Sequence, residues 1–365
     1  MRLLIDAHLD IAWNALSFNR EQTLEVSELR ASEAGMTDQK SRGNNTVSVP
    51  ELRRAGVAVC VATMLARSGI GHDPKKNLHR YDLEFSSQQI AYATANGQLA
   101  YYRLLEQSGQ VRIIETRRDL ERHLQDWQDA DLAAPHALPI GLILSMEGAD
   151  PVVAPGQIEH WYEAGLRAIG PAHYGQSHYA GGTGCDRPMT TAGVELLAEM
   201  QRVGMALDVT HLCDEAMAQA FDLFGGVFWA SHHNCRALVD HVRQLTDRQI
   251  QQLIERDAVI GAALDAWMLY PGWIRHESEP GLVKMESVVD HIDYVCQLAG
   301  NTRHSAIGTD LDGGFGTEQT PGDLNTIADV QRIAEILDRR GYSNEDIDAI
   351  FHGNWLRIFC RALPE

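Results

Sequence analysis

The sequence has few basic residues, no long apolar run and no paired-cysteine motif. Its 31 lysines and arginines face 50 acidic residues, giving a formal net charge of −19. This balance argues against nucleic acid as a partner, because phosphate binding needs a basic surface. No stretch approaches the roughly 20 apolar residues that span a bilayer, and no basic start with an apolar segment marks a signal peptide. We therefore expect a cytoplasmic protein that binds neither nucleic acid nor membrane.

The six cysteines are scattered along the chain and form no CxxC motif. Most of them occur in apolar or helical runs, as expected of reduced thiols in a protein core. Hydrophobic residues make up 44% and charged residues 22% of the chain, a composition typical of a globular protein with a large core. No linker is evident, and we expect residues 1–365 to form a single domain.

Short apolar runs rich in β-branched residues recur along the chain and predict buried parallel strands. Between most of them, apolar residues repeat at helical spacing, as in Thr190–Val203 and Met285–Ala299, and two further helices are predicted over Asn325–Arg340 and Asn344–Ala362. Strands that alternate with helices in this way are typical of a (β/α)8 TIM barrel. The eight predicted strands are Leu3–Ala7, Val57–Leu65, Ile140–Met146, Leu166–Ala172, Met205–Thr210, Val227–Ser231, Val259–Leu264 and Ser305–Thr309.

Two long segments, residues 17–50 and 67–81, follow the first and second predicted strands. In a barrel both would be βα loops on the C-terminal face, where barrel active sites lie. Loops of this length usually have a function, such as a lid or a homodimer contact. A surface insertion without a catalytic role is an equally good interpretation.

The first predicted strand ends in His8 and Asp10. Side chains at positions i and i+2 of a strand point to the same face, so the two residues can hold one divalent ion. Taken alone, the pair is more typical of a polar turn after a buried strand.

Five further predicted strands also end in a histidine, an aspartate or a glutamate. Any single such residue is more often a turn or cap residue than a ligand. In a barrel, however, the strand ends converge on one mouth, and burying so many charges there without a cation would be prohibitive. The residues that would converge are His8, Asp10, Glu147, His173, His211, His232 and Asp310, and the sequence therefore predicts that some of them hold a metal ion.

The ligand types indicate the class of metal. Imidazoles and carboxylates without a thiolate cluster suit Zn²⁺ first, and also Fe²⁺, Mn²⁺ or Co²⁺. Four or five ligands exceed the needs of one catalytic zinc, whereas a two-metal site bridged by a carboxylate uses them all. Glu147 lies on a strand between those that carry the His8/Asp10 and His211/His232 pairs, so it is the natural residue to bridge two metal ions. Asp310, on the strand next to the first, is placed to orient a water and pass its proton to a leaving amine.

Several short signatures now identify a resemblance that covers nearly the whole chain. The sequence resembles the membrane dipeptidase family (renal dipeptidase and its bacterial relatives), a metal-dependent barrel branch of the amidohydrolase superfamily. The matching signatures are Asp6-Ala7-His8-Leu9-Asp10, Ser145-Met146-Glu147-Gly148, Asp208-Val209-Thr210-His211, Ala230-Ser231-His232, Gly308-Thr309-Asp310-Leu311-Asp312-Gly313 and Gly353-Asn354-Trp355-Leu356-Arg357.

The resemblance implies a role for each matching residue. His8, Asp10 and Glu147 would hold one zinc ion, and Glu147 would bridge to a second ion held by His211 and His232.

Two further residues would act on the substrate. His173 would polarise the scissile carbonyl or steady the oxyanion. Arg243 would bind the C-terminal carboxylate of the substrate, since a guanidinium pairs bidentately with a carboxylate.

Three positions leave alternatives open. His233 directly follows His232, although alternation along a strand points it away from the site. Asp312 competes with Asp310 for the proton-transfer role. Asp265 either meets a substrate ammonium or caps the segment that follows it, and we favour the cap.

The function expected from the resemblance is metal-dependent hydrolysis of free dipeptides by a metal-bridging hydroxide, with a C-terminal D-residue tolerated. An amidohydrolase acting on a lactam, a lactone or an N-acyl amino acid would keep the same fold and metals. A binding protein with a vestigial site is a third hypothesis, disfavoured because every expected ligand is present.

Overall fold

The computed structural model describes residues 1–69, 83–130 and 138–365, so most of the predicted loop 67–81 lies outside the described residues. The described residues contain nine strands, and eight of them correspond to the predicted ones. The strands are Leu4–Leu9 (β1), Val57–Leu65 (β2), Val111–Ile113 (β3), Ile140–Glu147 (β4), Leu166–Gly170 (β5), Ala206–Asp208 (β6), Phe228–Trp229 (β7), Ile260–Ala262 (β8) and Ser305–Ile307 (β9).

The strands form a curled parallel sheet. Its order is β1-β2-β4-β5-β6-β7, and β8 pairs with β9 in a separate two-stranded sheet. The short strand β3, which the sequence did not predict, pairs with the first residues of β4, and β5 pairs with the last. Every residue of β1, β2 and β4 is buried, which explains why these strands are continuous apolar runs.

The predicted eight-stranded barrel is confirmed only in part. Backbone hydrogen bonds connect β7 to β8, from Ala230 N to Val259 O at 2.9 Å and from Gly261 N to Ala230 O at 2.8 Å. No backbone ladder joins β9 to β1 within the described ranges. The backbone amide and hydroxyl of Thr309 donate instead to the carboxylate of Asp6, so a side chain takes the place of the ladder there.

The helices pack outside the sheet, and several of them begin at a side-chain cap. Ser87 caps the helix that follows it, and Thr246 forms a capping box with Gln249. The helices are Ile11–Phe18, Val26–Ser32, Val49–Arg54, Gln88–Gln107, Arg117–Asp129, Ile158–Glu163, Thr191–Val203, Asp214–Leu223, Asp247–Glu255, Ala266–Leu269, Met285–Ala299, Arg332–Arg339, Asn344–Asp348 and Asn354–Ala362. No helix among the described residues is both long and apolar enough to cross a membrane.

The two predicted C-terminal helices were too long. The first begins only at Arg332, after a 3₁₀ segment over Ile327–Gln331. The second is interrupted by a π-helical turn at Ala349–Gly353. Directly after this turn, the Asn354 side chain donates to the backbone carbonyls of Thr302, just before β9, and Ser305, its first residue, and this tertiary contact fixes the helix where it restarts.

The segment 17–50 is folded back against the sheet end. Its buried Arg20 donates to Glu33 at 2.8 Å. The carboxylate of Asp312 accepts from the backbone amides of Thr46 and Val47 at 2.7 and 3.1 Å. The segment is therefore anchored to the chain that follows β9.

Candidate metal centre and active site

A cavity of about 240 Å³ opens at the C-terminal ends of the strands. It is smaller than the pockets that hold drug-sized ligands, which occupy roughly 300–1,000 Å³. Its lining combines aromatic side chains with a dense set of charged groups: Asp10, Trp13, Leu65, Arg67, Leu83, Glu84, Glu147, His173, Tyr174, His211, Arg243, Asp265, Trp267, Met268, Arg275, Asp310 and Gly313.

The carboxylate of Glu147 lies at the centre of four imidazoles. Its Oε1 atom is 3.1 Å from the Nε2 atom of His211 and 3.4 Å from that of His232. The Nε2 atoms of His8 and His173 lie 3.6 and 3.8 Å from the same oxygen. Residues from five strand ends therefore meet at one buried carboxylate.

A second group of carboxylates surrounds His8. The Nε2 atom of His8 is 3.9 Å from Asp10 Oδ2 and 3.8 Å from Asp310 Oδ1. Asp10 also accepts a hydrogen bond from the Thr63 hydroxyl. Three overlapping groups are spaced as metal ligands: His8, Glu147 and His232; Glu147, His173 and His211; and His8, Asp10 and Asp310.

Hydroxyl groups hold the imidazoles with Nε2 towards Glu147. Thr183 Oγ1 is 3.0 Å from His211 Nδ1, and Ser231 Oγ is 2.9 Å from His232 Nδ1. An Nδ1–H donating to a hydroxyl oxygen leaves the Nε2 lone pair directed at the centre, as a metal ligand requires.

The buried Nε2 atom of His8 has no hydrogen-bond partner. Converging nitrogen lone pairs and a shared carboxylate form a donor set that fits divalent metal ions.

His173 is held differently from the other imidazoles. Its Nδ1 atom is 3.2 Å from Arg67 Nη1, and a guanidinium can only donate. His173 therefore accepts at Nδ1 and carries its proton on Nε2, which faces the cavity. That tautomer is a hydrogen-bond donor to a substrate oxygen rather than a metal ligand. Arg67 is itself fixed by an ion pair with Glu84.

Burial and neighbouring charges shift the pKa values of the residues in the site. Burial holds the pKa of His211 well below its ordinary value, and burial together with the nearby Arg67 lowers the pKa of His173 to about 3 despite Glu147. Burial also raises the pKa of Asp310 well above its usual range. His173 is thus neutral near pH 7, and Asp310 is suited to hold a proton.

Arg243 lies fully buried beside the imidazoles. Its Nη2 atom donates to the backbone carbonyl of His232 at 2.9 Å and is 3.3 Å from His211 Nε2. Its Nη1 atom has no hydrogen-bond partner, and no carboxylate among the described residues forms an ion pair with it. A buried guanidinium without a counter-ion is matched to an anionic group of a ligand.

Left-handed backbone turns the side chains at two strand ends into the site. His211 has φ of 70° and Asp310 has φ of 59°, a conformation that non-glycine residues adopt at a cost of order 1–3 kcal/mol.

The close approach of the chain after β7 to the chain after β9 requires Gly308, because a Cβ there would lie 1.7 Å from the Ser231 carbonyl oxygen.

The structure bears on the three open alternatives. His232 faces Glu147, whereas His233 belongs to none of the three ligand groups. The Asp312 carboxylate is occupied by the anchored segment 17–50. Asp265 stands at the N-cap position of the helix Ala266–Leu269, and its carboxylate accepts from the Trp267 indole within that helix and from Gln319.

Comparison with known proteins places the chain in a family. The family model of the membrane dipeptidases (peptidase family M19) matches residues 2–363. The chain belongs to the membrane dipeptidase family. Members of this family are metallo-dipeptidases, so the ligand-like geometry around Glu147 is what the family assignment leads us to expect.

Individual relatives agree with the family assignment. Dipeptidase aclJ of Aspergillus oryzae is 30% identical over 60% of this chain, although the match spans only 51% of that protein. The fold is shared with the dipeptidase AC, a metallopeptidase of family M19, with a TM-score of 0.78 and 19% identity over 100% of this chain and 99% of that one.

A third relative is a metallopeptidase of Rhodobacter sphaeroides, liganded with a phosphinate mimic of the dipeptide L-Ala-D-Ala. It shares the fold with a TM-score of 0.73 and 20% identity, over 99% of both chains.

Several residues that shape the site of this dipeptidase-family chain carried no signal in the sequence. Thr183 and Gln319 lie in irregular segments between the named strands and helices. Arg275 follows β8 without any motif around it, and the cavity lining identifies it. Ser231 is the exception, because it directly precedes a predicted ligand.

Proposed function

We propose that this protein hydrolyses the peptide bond of free dipeptides. The observation that carries the proposal is the meeting, in one small cavity, of a Glu147 carboxylate shared by imidazoles with the unpaired guanidinium of Arg243. The first group suits metal-assisted hydrolysis, and the second suits a substrate that ends in a free carboxylate. The dipeptide mimic bound by the Rhodobacter sphaeroides relative supports this substrate class.

We propose that His8, Asp10 and Glu147 hold one divalent ion and that Glu147, His211 and His232 hold a second. Zn²⁺ is the first candidate for this mixture of imidazole and carboxylate ligands, with Fe²⁺, Mn²⁺ and Co²⁺ as alternatives. When bound, such ions supply Lewis acidity and lower the pKa of water towards neutrality.

The remaining residues position the substrate and move protons. Arg243 receives the C-terminal carboxylate through its free Nη1 atom. His173 donates its Nε2–H to the scissile carbonyl oxygen and stabilises the oxyanion that develops there. Asp310, whose Oδ1 atom lies 3.8 Å from His8 Nε2, takes the proton of the attacking water and delivers it to the departing amine.

We further propose that residues 1–365 act as one barrel domain and that a D-residue is accepted at the C-terminal position. The bridge between Ala230 and Ile260 and the contact between Asp6 and Thr309 support closure of the curled sheet. The L-Ala-D-Ala mimic in the Rhodobacter sphaeroides relative supports the stereochemical proposal.

The test combines metal analysis with a substrate screen. Metals per chain are measured, and a library of L-Xaa-L-Xaa and L-Xaa-D-Xaa dipeptides is assayed at neutral pH with the wild type, Arg243→Ala and Arg243→Lys. We expect two metals per chain, and a KM raised about a hundredfold or more in the alanine variant, because a charge-assisted bidentate pair is lost. Arg243→Lys should recover part of the loss.

Two outcomes of this screen would contradict the proposal. A protein that binds two metals but turns over no dipeptide would act on another substrate. Turnover of lactams, lactones or N-acyl compounds without a free carboxylate, unaffected in Arg243→Ala, would assign the alternative amidohydrolase reaction.

A further inference from the structure

Asp265 is a buried carboxylate on the cavity wall that the proposed reaction does not use. It is 6% exposed and lies three residues beyond the end of β8. The Trp267 indole N–H donates to its Oδ2 atom at 2.6 Å, and Gln319 Nε2 lies 2.9 and 3.1 Å from its two oxygens. Two neutral donors therefore fix the orientation of this carboxylate towards the cavity.

No cationic side chain among the described residues forms an ion pair with Asp265. Arg275 lines the same cavity, but its Nη2 atom donates to the backbone carbonyl of Gly314 at 3.1 Å. Burial raises the pKa of Asp265 to about 7, as expected of a carboxylate that has lost water without gaining a counter-ion. A cationic group that entered the cavity would supply the missing charge.

The other cavity carboxylates already have partners. Glu84 pairs with Arg67. Asp10 accepts from Thr63, and Glu147 and Asp310 surround His8. Asp265 is thus a carboxylate of the described cavity lining that has neutral hydrogen-bond donors but no ion pair, so a cationic ligand group could balance its charge.

The position of Asp265 relative to the presumed carboxylate site is also informative. Arg243, Tyr174 and Asp265 line the same cavity. The cavity wall therefore carries one positive and one negative side chain on either side of the space that a ligand would fill. This arrangement is complementary to a ligand that carries both a carboxylate and an ammonium group.

We propose that Asp265 is a specificity-determining residue that binds a protonated nitrogen of the substrate. Two groups of a dipeptide share that chemistry: the α-ammonium group and a basic side chain. The inference rests on the proposed dipeptidase function, since it places Asp265 opposite a substrate whose carboxylate is held by Arg243.

The test compares Asp265→Asn with the wild type on two dipeptides, Lys-Ala and norleucine-Ala, and on their N-acetyl forms. Norleucine matches the lysine stem but lacks its charge. Asparagine keeps the size of the side chain and an oxygen acceptor for Trp267 or Gln319. Glu318→Gln is the matched control, because it removes a neighbouring negative charge that does not line the cavity.

The two sources of the cation give different results. If Asp265 binds the α-ammonium group, Asp265→Asn raises KM for both free dipeptides by about ten- to a hundredfold, the range expected for a lost charge-assisted hydrogen bond, and leaves the N-acetyl forms unchanged. If it binds a basic side chain, the variant loses a preference for Lys-Ala of about tenfold or more while norleucine-Ala is unaffected. Equal KM values in variant and wild type for all substrates, or the same change in Glu318→Gln, would overturn the proposal.

Calorimetric titration with Lys-Ala and norleucine-Ala separates this proposal from the proposed function. If the wild type hydrolyses no dipeptide, the dipeptidase assignment fails, but binding is still measured. Weaker binding of either dipeptide to Asp265→Asn, with normal binding to Glu318→Gln, would then still support the role of Asp265. Identical affinities in the wild type and Asp265→Asn would refute it.

Discussion

The carboxylate of Asp6 joins the first strand to Thr309, two residues beyond the last strand. Its Oδ1 atom accepts the backbone N–H of Thr309 at 2.9 Å, and its Oδ2 atom accepts the Thr309 hydroxyl at 2.6 Å. The backbone N–H of His8 donates to the same carboxylate at 3.1 Å. One buried side chain thus fixes the neighbours of two predicted site residues, His8 and Asp310.

Loss of this carboxylate should affect both stability and metal binding. We expect Asp6→Ala to lower the free energy of unfolding by about 2–4 kcal/mol, because buried donors of His8 and Thr309 are left without an acceptor. Asp6→Asn retains one acceptor oxygen and should cost about half as much. Urea denaturation measures the two values, and equal stability of Asp6→Ala and the wild type would contradict the role of Asp6.

The hydroxyl groups behind the imidazoles should control metal affinity. We expect Thr183→Val and Ser231→Ala each to weaken metal binding by about ten- to a hundredfold, the effect typical of removing groups that orient metal ligands. Competition with a chelator of known affinity measures the change. Ser145→Ala is the control, since the Ser145 hydroxyl contacts the Ala168 carbonyl and no site imidazole. Metal affinities in all three variants equal to that of the wild type would refute the orienting role.

His291 should make the protein sensitive to mild acid. Burial lowers its pKa to about 4, and its Nδ1 atom accepts from the backbone N–H of Cys235 at 3.0 Å. The folded protein therefore binds the proton less readily than the unfolded chain. The stability that neutral His291 provides is complete above pH 6.5 and is lost as the pH falls towards 4, by up to about 3 kcal/mol.

The variant His291→Asn keeps an acceptor for Cys235 and cannot be protonated. Its unfolding free energy should change less between pH 7 and pH 5 than that of the wild type. The exposed His160 serves as the control position, and His160→Asn should retain the wild-type dependence. An acid dependence of His291→Asn as steep as that of the wild type would exclude His291 as its source.

The sequence predicted the strands of the fold better than their closure. Runs such as Val57–Leu65 and Ile140–Met146 are buried on both faces, so their apolar character is continuous and easily recognised. The strand Val111–Ile113 has only three residues, too few to form a pattern. The contact of Asp6 with Thr309 connects positions about 300 residues apart, and no local periodicity encodes such a pair.

The predicted site residues were recognisable because histidines and carboxylates are unusual directly after an apolar run. Glu147 and His232 were predicted to lie together, and the structure brings them within 3.4 Å. Asp265 was interpreted as a cap of the segment that follows it, but its contact with Gln319, 54 residues further along the chain, is not apparent from the sequence. Tertiary contacts made by loop residues were therefore the part that sequence alone did not provide.

Under the proposed function, Glu147 would be shared by two metal ions. Anomalous diffraction from crystals of the protein loaded with zinc, recorded on both sides of the zinc absorption edge, tests this directly. We predict two anomalous peaks, one on each side of the Glu147 carboxylate, with His8 and Asp10 near one and His211 and His232 near the other. A single peak, or peaks remote from Glu147, would contradict the account.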